Sequence, residues 1–429
     1  MTVTAHFIEH AFLILLALFA LIECALAILQ TRSAENARTV VPRGFEGHLT
    51  RASMIKAADY TSETAQSELV LAFVGAIFAL LMTQGRGLSI LIVLCEHVAH
   101  GVTAQWLLLA VLTFLMCAIE FPFAWWAQFR VEERYGYMRL SQKAWLLRTM
   151  KETLVGWFVM LPVWAVLLML FEHSGNIWWV ILWGAWTLWL VWRFKVSQSH
   201  GLFWHRRVKP WTDKAFEARV KAYLEKNGIV FDGMVVTTRP ASWHQASVVL
   251  SGLGRKRRVV VFAHAANVLT EDELMALIAH ETAQVCHHHA LIRILFFSAL
   301  GAVVAGVAAW GAQHPVFFEG FGLASFSIFV RPGTQAGYVL AVGLVTFPVI
   351  VYLMRPVTHL LSRWMQFDAD AMAVRDVGAE PLVSALVRLN KDRSQTLNPS
   401  LLYEFFHHRR PHIGARVAHA YRLADKEAA

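Results

Sequence analysis

The sequence predicts a mainly α-helical, polytopic membrane protein with a small α+β domain inserted among its spans. Three observations carry that expectation. Of 429 residues, 57% are hydrophobic and only 16% are charged, a balance far more apolar than soluble domains show. Seven apolar stretches, each ~17 to 25 residues long, suffice to cross a bilayer as helices. Between the fifth and the sixth lie about a hundred mostly polar residues, room for a folded domain that belongs to no span.

In chain order the stretches fall roughly at 11–29, 66–83, 104–125, 153–171, 177–194, 291–311 and 336–354, while 88–95 is too short to span alone. The first, from Ala11 to Leu29, has no basic region ahead of it and no small-residue cleavage site, and it carries Glu23 with Gln30 just beyond. It is expected to be a retained helix rather than a signal peptide. The fifth is rich in tryptophan (Trp178, Trp179, Trp183, Trp186, Trp189, Trp192), as interface anchors and lipid-packing residues are. Glu23 and Glu120 lie inside spans, where a bare charge is expensive, and are by default candidates for function unless they face water.

Basic residues are distributed unevenly. Arg32, Arg38, Arg43, Arg51 and Lys56 follow the first span, and Arg130, Arg134, Arg139, Lys143, Arg148 and Lys151 follow the third. The connections near 84–103, 172–176 and 312–335 hold almost nothing basic beyond Arg86 and Arg331. By the positive-inside rule the N-terminus is outside and the large hydrophilic regions are cytoplasmic. The net charge of +9 then reflects loops beside anionic lipid, with the bilayer as partner and no nucleic acid. Cys24, Cys95, Cys117 and Cys286 form neither a disulfide framework nor a C-x-x-C knuckle.

Within the polar insertion, Trp211 to Asn227 has helical spacing, with Phe216, Val220 and Leu224 on one face and Gly228 as a stop. Val235–Thr238, Ser247–Leu250 and Arg258–Phe262 read as strands, the last two joined by a turn over Gly252-Leu253-Gly254-Arg255-Lys256. Thr270-Glu271-Asp272-Glu273 is a capping box that opens the next helix. That helix carries His280-Glu281-Thr282-Ala283-Gln284, the zinc-protease pattern H-E-x-x-H with glutamine in place of its second histidine. In the intact pattern two histidines one turn apart hold zinc and the glutamate acts as general base on the metal-bound water.

Further pieces carry a resemblance: Lys56-Ala57-Ala58-Asp59-Tyr60-Thr61, Glu132-Glu133-Arg134-Tyr135-Gly136-Tyr137, Ser362-Arg363-Trp364-Met365-Gln366-Phe367-Asp368-Ala369-Asp370, and Leu382–Val387 followed by Thr396-Leu397-Asn398-Pro399. In their order and their place relative to the spans, these resemble the type I CAAX prenyl proteases, membrane gluzincins. The resemblance implies a five-helix membrane region (1–194), a zincin-like cytoplasmic domain (195–290), two further membrane helices (291–354) and a C-terminal segment completing the protease domain (355–429).

It also implies one zinc ion. Matched position by position, His280 is a metal ligand, Glu281 the general base, Asp370 a carboxylate orienting a liganding imidazole, and Arg416 a site-facing contact to substrate or transition state. Gln284 and Gln366 stand at the two remaining ligand positions. Other departures are Ser247-Val248-Val249-Leu250 on the substrate-holding strand, Phe262-Ala263-His264, and Arg410-Pro411 where the family has His-Pro. A neutral amide oxygen is a far poorer zinc donor than imidazole, thiolate or carboxylate. The leading expectation is therefore a CAAX prenyl protease-type scaffold, weak or inactive as a metalloendopeptidase, that keeps a groove for a peptide or protein ligand, prenylated or not. The alternative is an active zinc endopeptidase with a non-standard ligand set, cleaving peptides or prenylated C-termini. His287 of Cys286-His287-His288-His289 lies seven residues past His280, about 10.5 Å along a continuous helix, too far for an ordinary shared site. The cluster reads as a polar group where the helix leaves the domain. A transporter reading draws only on the helix count and the intramembrane glutamates, without paired interrupted helices or an inverted repeat.

Overall fold

The computed structural model describes residues 4–39, 50–136, 141–203, 208–237, 247–252, 254–323, 336–390 and 399–428. The 324–335 stretch with Arg331, the Thr396-Leu397-Asn398 piece, Leu253 and Thr238 lie outside them.

The helices are α1 (Ala5–Asn36), α2 (Arg51–Met82), α3 (Gly87–Val98), α4 (Val102–Trp126), α5 (Gln142–Ser174) and α6 (Trp178–Phe203), with α4 running into a π-helical turn at Ala127–Glu132. Next come β1 (Val208–Pro210), α7 (Lys214–Lys226), β2 (Val230–Thr237), β3 (Val248–Ser251), β4 (Lys256–Phe262), α8 (Ala263–Val268) and α9 (Glu271–Cys286). The chain closes with α10 (His289–Gln313), α11 (Pro315–Gly320), α12 (Ala336–Val377), α13 (Ala379–Asn390), α14 (Leu401–His407) and α15 (Ile413–Ala428). Among the described residues six helical segments are long and apolar enough to cross a membrane: α1, α2, α4 with its π turn, α5, α10 and α12. The remaining predicted stretch, 177–194, forms the start of α6, and 88–95 lies in the short α3.

Two compact units are built from these elements. The first comprises Met1–Arg32, Asp59–Trp186 and Ala299–Arg355. Its helices present large apolar side chains outward, among them Leu21, Phe158, Met169 and Val303, as a surface facing lipid does. Several polar groups that fall inside are paired: the Trp106 and Trp157 indoles donate to the Leu161 and Ala110 carbonyls, each at 2.9 Å, and Tyr338 donates to Glu96 at 2.8 Å. Glu120 is exposed, whereas Glu23 is buried, 4% accessible, among the helices of this unit. Helix packing had decided its surroundings, which its position in a span did not reveal.

The second unit comprises Ser33–Ala58, Thr187–Ser298 and Pro356–Ala429. Its sheet has the order β1-β2-β4-β3, with β2 parallel to β4 and the outer pairs antiparallel. β3 lies at one edge, in register Val248 to Val261 and Leu250 to Val259. Gly252, at φ +137°, makes the turn into β4, and a Cβ there would sit 2.4 Å from the Lys256 carbonyl oxygen. Asp213 caps α7 by accepting from the Ala215 and Phe216 amides at 2.9 and 3.0 Å, and Gly228 follows its end with φ +74°. Phe216, Val220 and Leu224 bury one face of α7 in a core shared with Val259 and Val261 of β4, Leu274 and Ile278 of α9, Leu382 and Leu386 of α13, and Val417 of α15. The three-residue β1, which ends in Pro210, went unpredicted because so short a segment carries no periodic signal.

Candidate metal and peptide site

The predicted capping box starts α9. The Thr270 amide donates to Glu273 at 2.7 Å and the Glu273 amide donates to the Thr270 hydroxyl at 3.4 Å. From that fixed start, apolar Leu274, Met275, Leu277 and Ile278 seat the helix in the core, and His280 comes out buried at 4% exposure. α12 supplies the facing side chains. Gln366 and Asp370 stand one turn apart on it and so share a face.

Both ring nitrogens of His280 are engaged. Nδ1 lies 2.8 Å from Asp370 Oδ1, an ion-pair contact whose angle falls short of a hydrogen bond, and Nε2 lies 2.8 Å from the Gln366 amide nitrogen. With the imidazole proton on Nδ1 facing the carboxylate, the Nε2 lone pair accepts from the amide. Asp370 is fully buried and holds Arg416 in a two-point grip, at 2.8 Å to Nε and 2.6 Å to Nη2. Burial works against the Arg416 charge, yet Asp370 outweighs it and holds the guanidinium above its usual range. The Gln284 amide donates to Glu281 Oε1 at 3.2 Å. Burial pushes the Glu281 carboxyl up, opposed by the charges of His280, Arg410 and Arg416. His280, Glu281, Gln284, Gln366, Asp370 and Arg416 are thus brought together as a closed polar cluster. Among the described residues no set of three histidine, cysteine or carboxylate groups with converging ligand atoms includes His280.

Two features lay beyond the sequence reading. Glu404, fully buried, accepts from Arg363 Nη2 at 2.8 Å and from the His412 amide at 2.9 Å, and it contacts His412 Nδ1 as well. Its signal was an acidic residue among the leucines and aromatic rings of the helix Leu401–His407. The second is Asp368, which meets both His287 and His289.

Comparison with known proteins agrees with this architecture. Residues 30–193 match the family model described as CAAX prenyl protease N-terminal, five membrane helices, and residues 211–424 match peptidase family M48. The chain belongs to peptidase family M48, in its CAAX prenyl protease form, and is an integral multi-pass membrane protein. M48 metalloproteases are zinc-dependent. CAAX prenyl protease 1 of Saccharomyces cerevisiae is 20% identical over 77% of this chain and 75% of that protein. An uncharacterized metalloprotease, YhfN, of Bacillus subtilis is 19% identical over 72% of this chain and 71% of its own. The crystal structure of S. mikatae Ste24p superposes with a TM-score of 0.77 at 18% identity, covering 98% of this chain and all of the other.

Proposed function

We propose that this chain is a CAAX prenyl protease-type scaffold that binds a peptide or protein segment, prenylated or not, and hydrolyses it weakly or not at all. One observation carries the reading: the Gln366 amide sits 2.8 Å from His280 Nε2, where the resemblance puts a metal ion. The residues do not fit zinc. A site needs at least three imidazole, thiolate or carboxylate donors around the ion, and His280 is the one such donor among His280, Gln284 and Gln366. The amides also satisfy the groups that a metal centre would use, Gln366 the imidazole and Gln284 the Glu281 carboxylate.

Binding requires less. β3 is an edge strand among the described residues and offers main-chain groups to an extended peptide. Arg410 and Arg416 place positive charge near Glu281 and favour an anionic group on the ligand. In this reading His280, Asp370 and Arg416 hold the helices of the cluster together, and the cluster faces the cytoplasm.

The test is restoration. Gln284→His with Gln366→Glu is expected to create a three-ligand site that binds one zinc per chain more than the parent holds, while either change alone adds little. Zinc content after chelator dialysis, and cleavage of a prenylated peptide, would be measured for all four combinations, with Glu281→Gln in the double variant as control. A double variant with no more zinc than the parent would overturn the assignment of these positions. Stoichiometric zinc in the parent that disappears on His280→Ala, together with cleavage, would establish the active endopeptidase instead.

A further inference from the structure

The helix bearing His280 ends at Cys286, and the chain does not continue along its axis. His287 caps α9, His288 takes the left-handed conformation at φ +52°, and α10 begins at His289. Helices often end on a left-handed residue, most often glycine, and here a histidine takes that position. It gathers the two flanking imidazoles, which sit with ring centroids 5.8 Å apart at 68°. Cys286 turns away, its thiol toward the Asn227 carbonyl.

Asp368 meets this pair from α12. A single carboxylate oxygen, Oδ2, contacts His287 Nδ1 and lies 2.9 Å from His289 Nε2. The three prospective ligand atoms all lie within 4.8 Å of one another. His289 is buried, 3% exposed at its side chain, against Trp364, while His287 at 39% and Asp368 at 30% open toward solvent. Among the described residues His289 Nδ1 has no hydrogen-bond partner, and it is Asp368 that hydrogen-bonds the other nitrogen of this ring.

From this geometry we infer a divalent transition-metal site formed by His287, His289 and Asp368, separate from the degenerate motif. The donor set is two imidazoles and one carboxylate with the remaining position open, which suits zinc first among the borderline cations. Bond lengths of about 2.0–2.2 Å require the donors to close around the ion, and His287, the exposed member, has the freedom to move. The ion takes the place of the imidazole protons that now face Asp368. It would tie the first turn of α10 to α12 two residues before Asp370, and so brace the cluster built around His280.

The probe is Zn²⁺ alone, titrated into the full-length, detergent-solubilised protein after chelator treatment, with Co²⁺ absorption as an optical check of histidine ligation. One ion per chain is expected. His287→Ala and Asp368→Asn should each weaken binding by about 100-fold or more, beyond the loss usual for groups that only orient a ligand. His280→Ala and His288→Gly should leave it intact; glycine takes the positive φ at 288 without strain. Melting temperature without metal controls for folding, and His287, exposed, is the variant least able to disturb it. Absence of binding in the parent would overturn the site, as would binding unchanged by His287→Ala and Asp368→Asn. Zinc lost on His280→Ala but kept in those two variants would overturn it too, and would place the ion at the motif.

Discussion

At the scale of single residues, a buried charged pair lies beside His280 and two neutral amides, Gln284 and Gln366, which we propose stand at metal-ligand positions. Asp370 and Arg416 form a buried two-point pair, and His280 lies against that carboxylate. Glu404 shows the same economy outside the motif. Burial alone would raise its carboxyl, but His412 and then Arg363 hold it below the usual glutamate range. A depressed carboxylate contributes stability that is present above the unfolded value, about 4.3, and is lost as pH falls through the folded one. Glu404→Gln leaves the Arg363 guanidinium buried without a counter-charge, which costs about 3–5 kcal/mol when one partner of a buried pair is removed. The expected result is a large drop in melting temperature at pH 7 that narrows as pH falls below the unfolded value, once the parent protonates as well. Thermal melts across that range check it, and a gap constant with pH would show that packing rather than charge is at stake.

At the scale of elements, the edge strand depends on one turn. Gly252 sits at φ +137° with the Lys256 carbonyl where a side chain would begin. Gly252→Ala combines a forbidden backbone angle with a backbone collision, and is expected to destabilise by more than about 1 kcal/mol. Because the turn sets the β3–β4 register, the same variant should weaken capture of an extended peptide. Denaturation and peptide binding measured side by side test this; unchanged values in both would remove β3 from the proposed groove. α9 is the opposite case: its start is fixed by the Thr270–Glu273 box and its direction by Leu274 and Ile278, so the motif is rigidly presented whatever its chemistry.

At the scale of the whole molecule, the remaining prediction is topology. Given the alternation of basic and nearly uncharged connections, residues 195–290 and the C-terminal tail are expected in the cytoplasm, with the N-terminus on the other side. Reporter fusions at Thr2 and Ala429 are expected to give opposite signals, and matching signals would exclude an odd number of spans.

The sequence by itself determined the membrane class, the position of the spans, the helix over Phe216–Leu224 and the capped helix that carries His280 and Glu281. Each of these rests on local periodicity, capping or hydropathy, which act over a few turns of chain. The proposed placing of Gln284 and Gln366 at ligand positions also rests on motif spacing, a linear property. The tertiary structure decided what the Gln366 amide does: it meets His280 across an approach of α9 and α12, 86 residues apart in sequence, whereas Gln284 meets Glu281 locally, three residues away on α9. It likewise decided that Glu23 is buried, that Glu404 anchors Arg363, and that Asp368 rather than Asp370 faces His287 and His289. A side chain's partner depends on how elements pack, and packing is set by the shape of the whole core rather than by any neighbour along the chain.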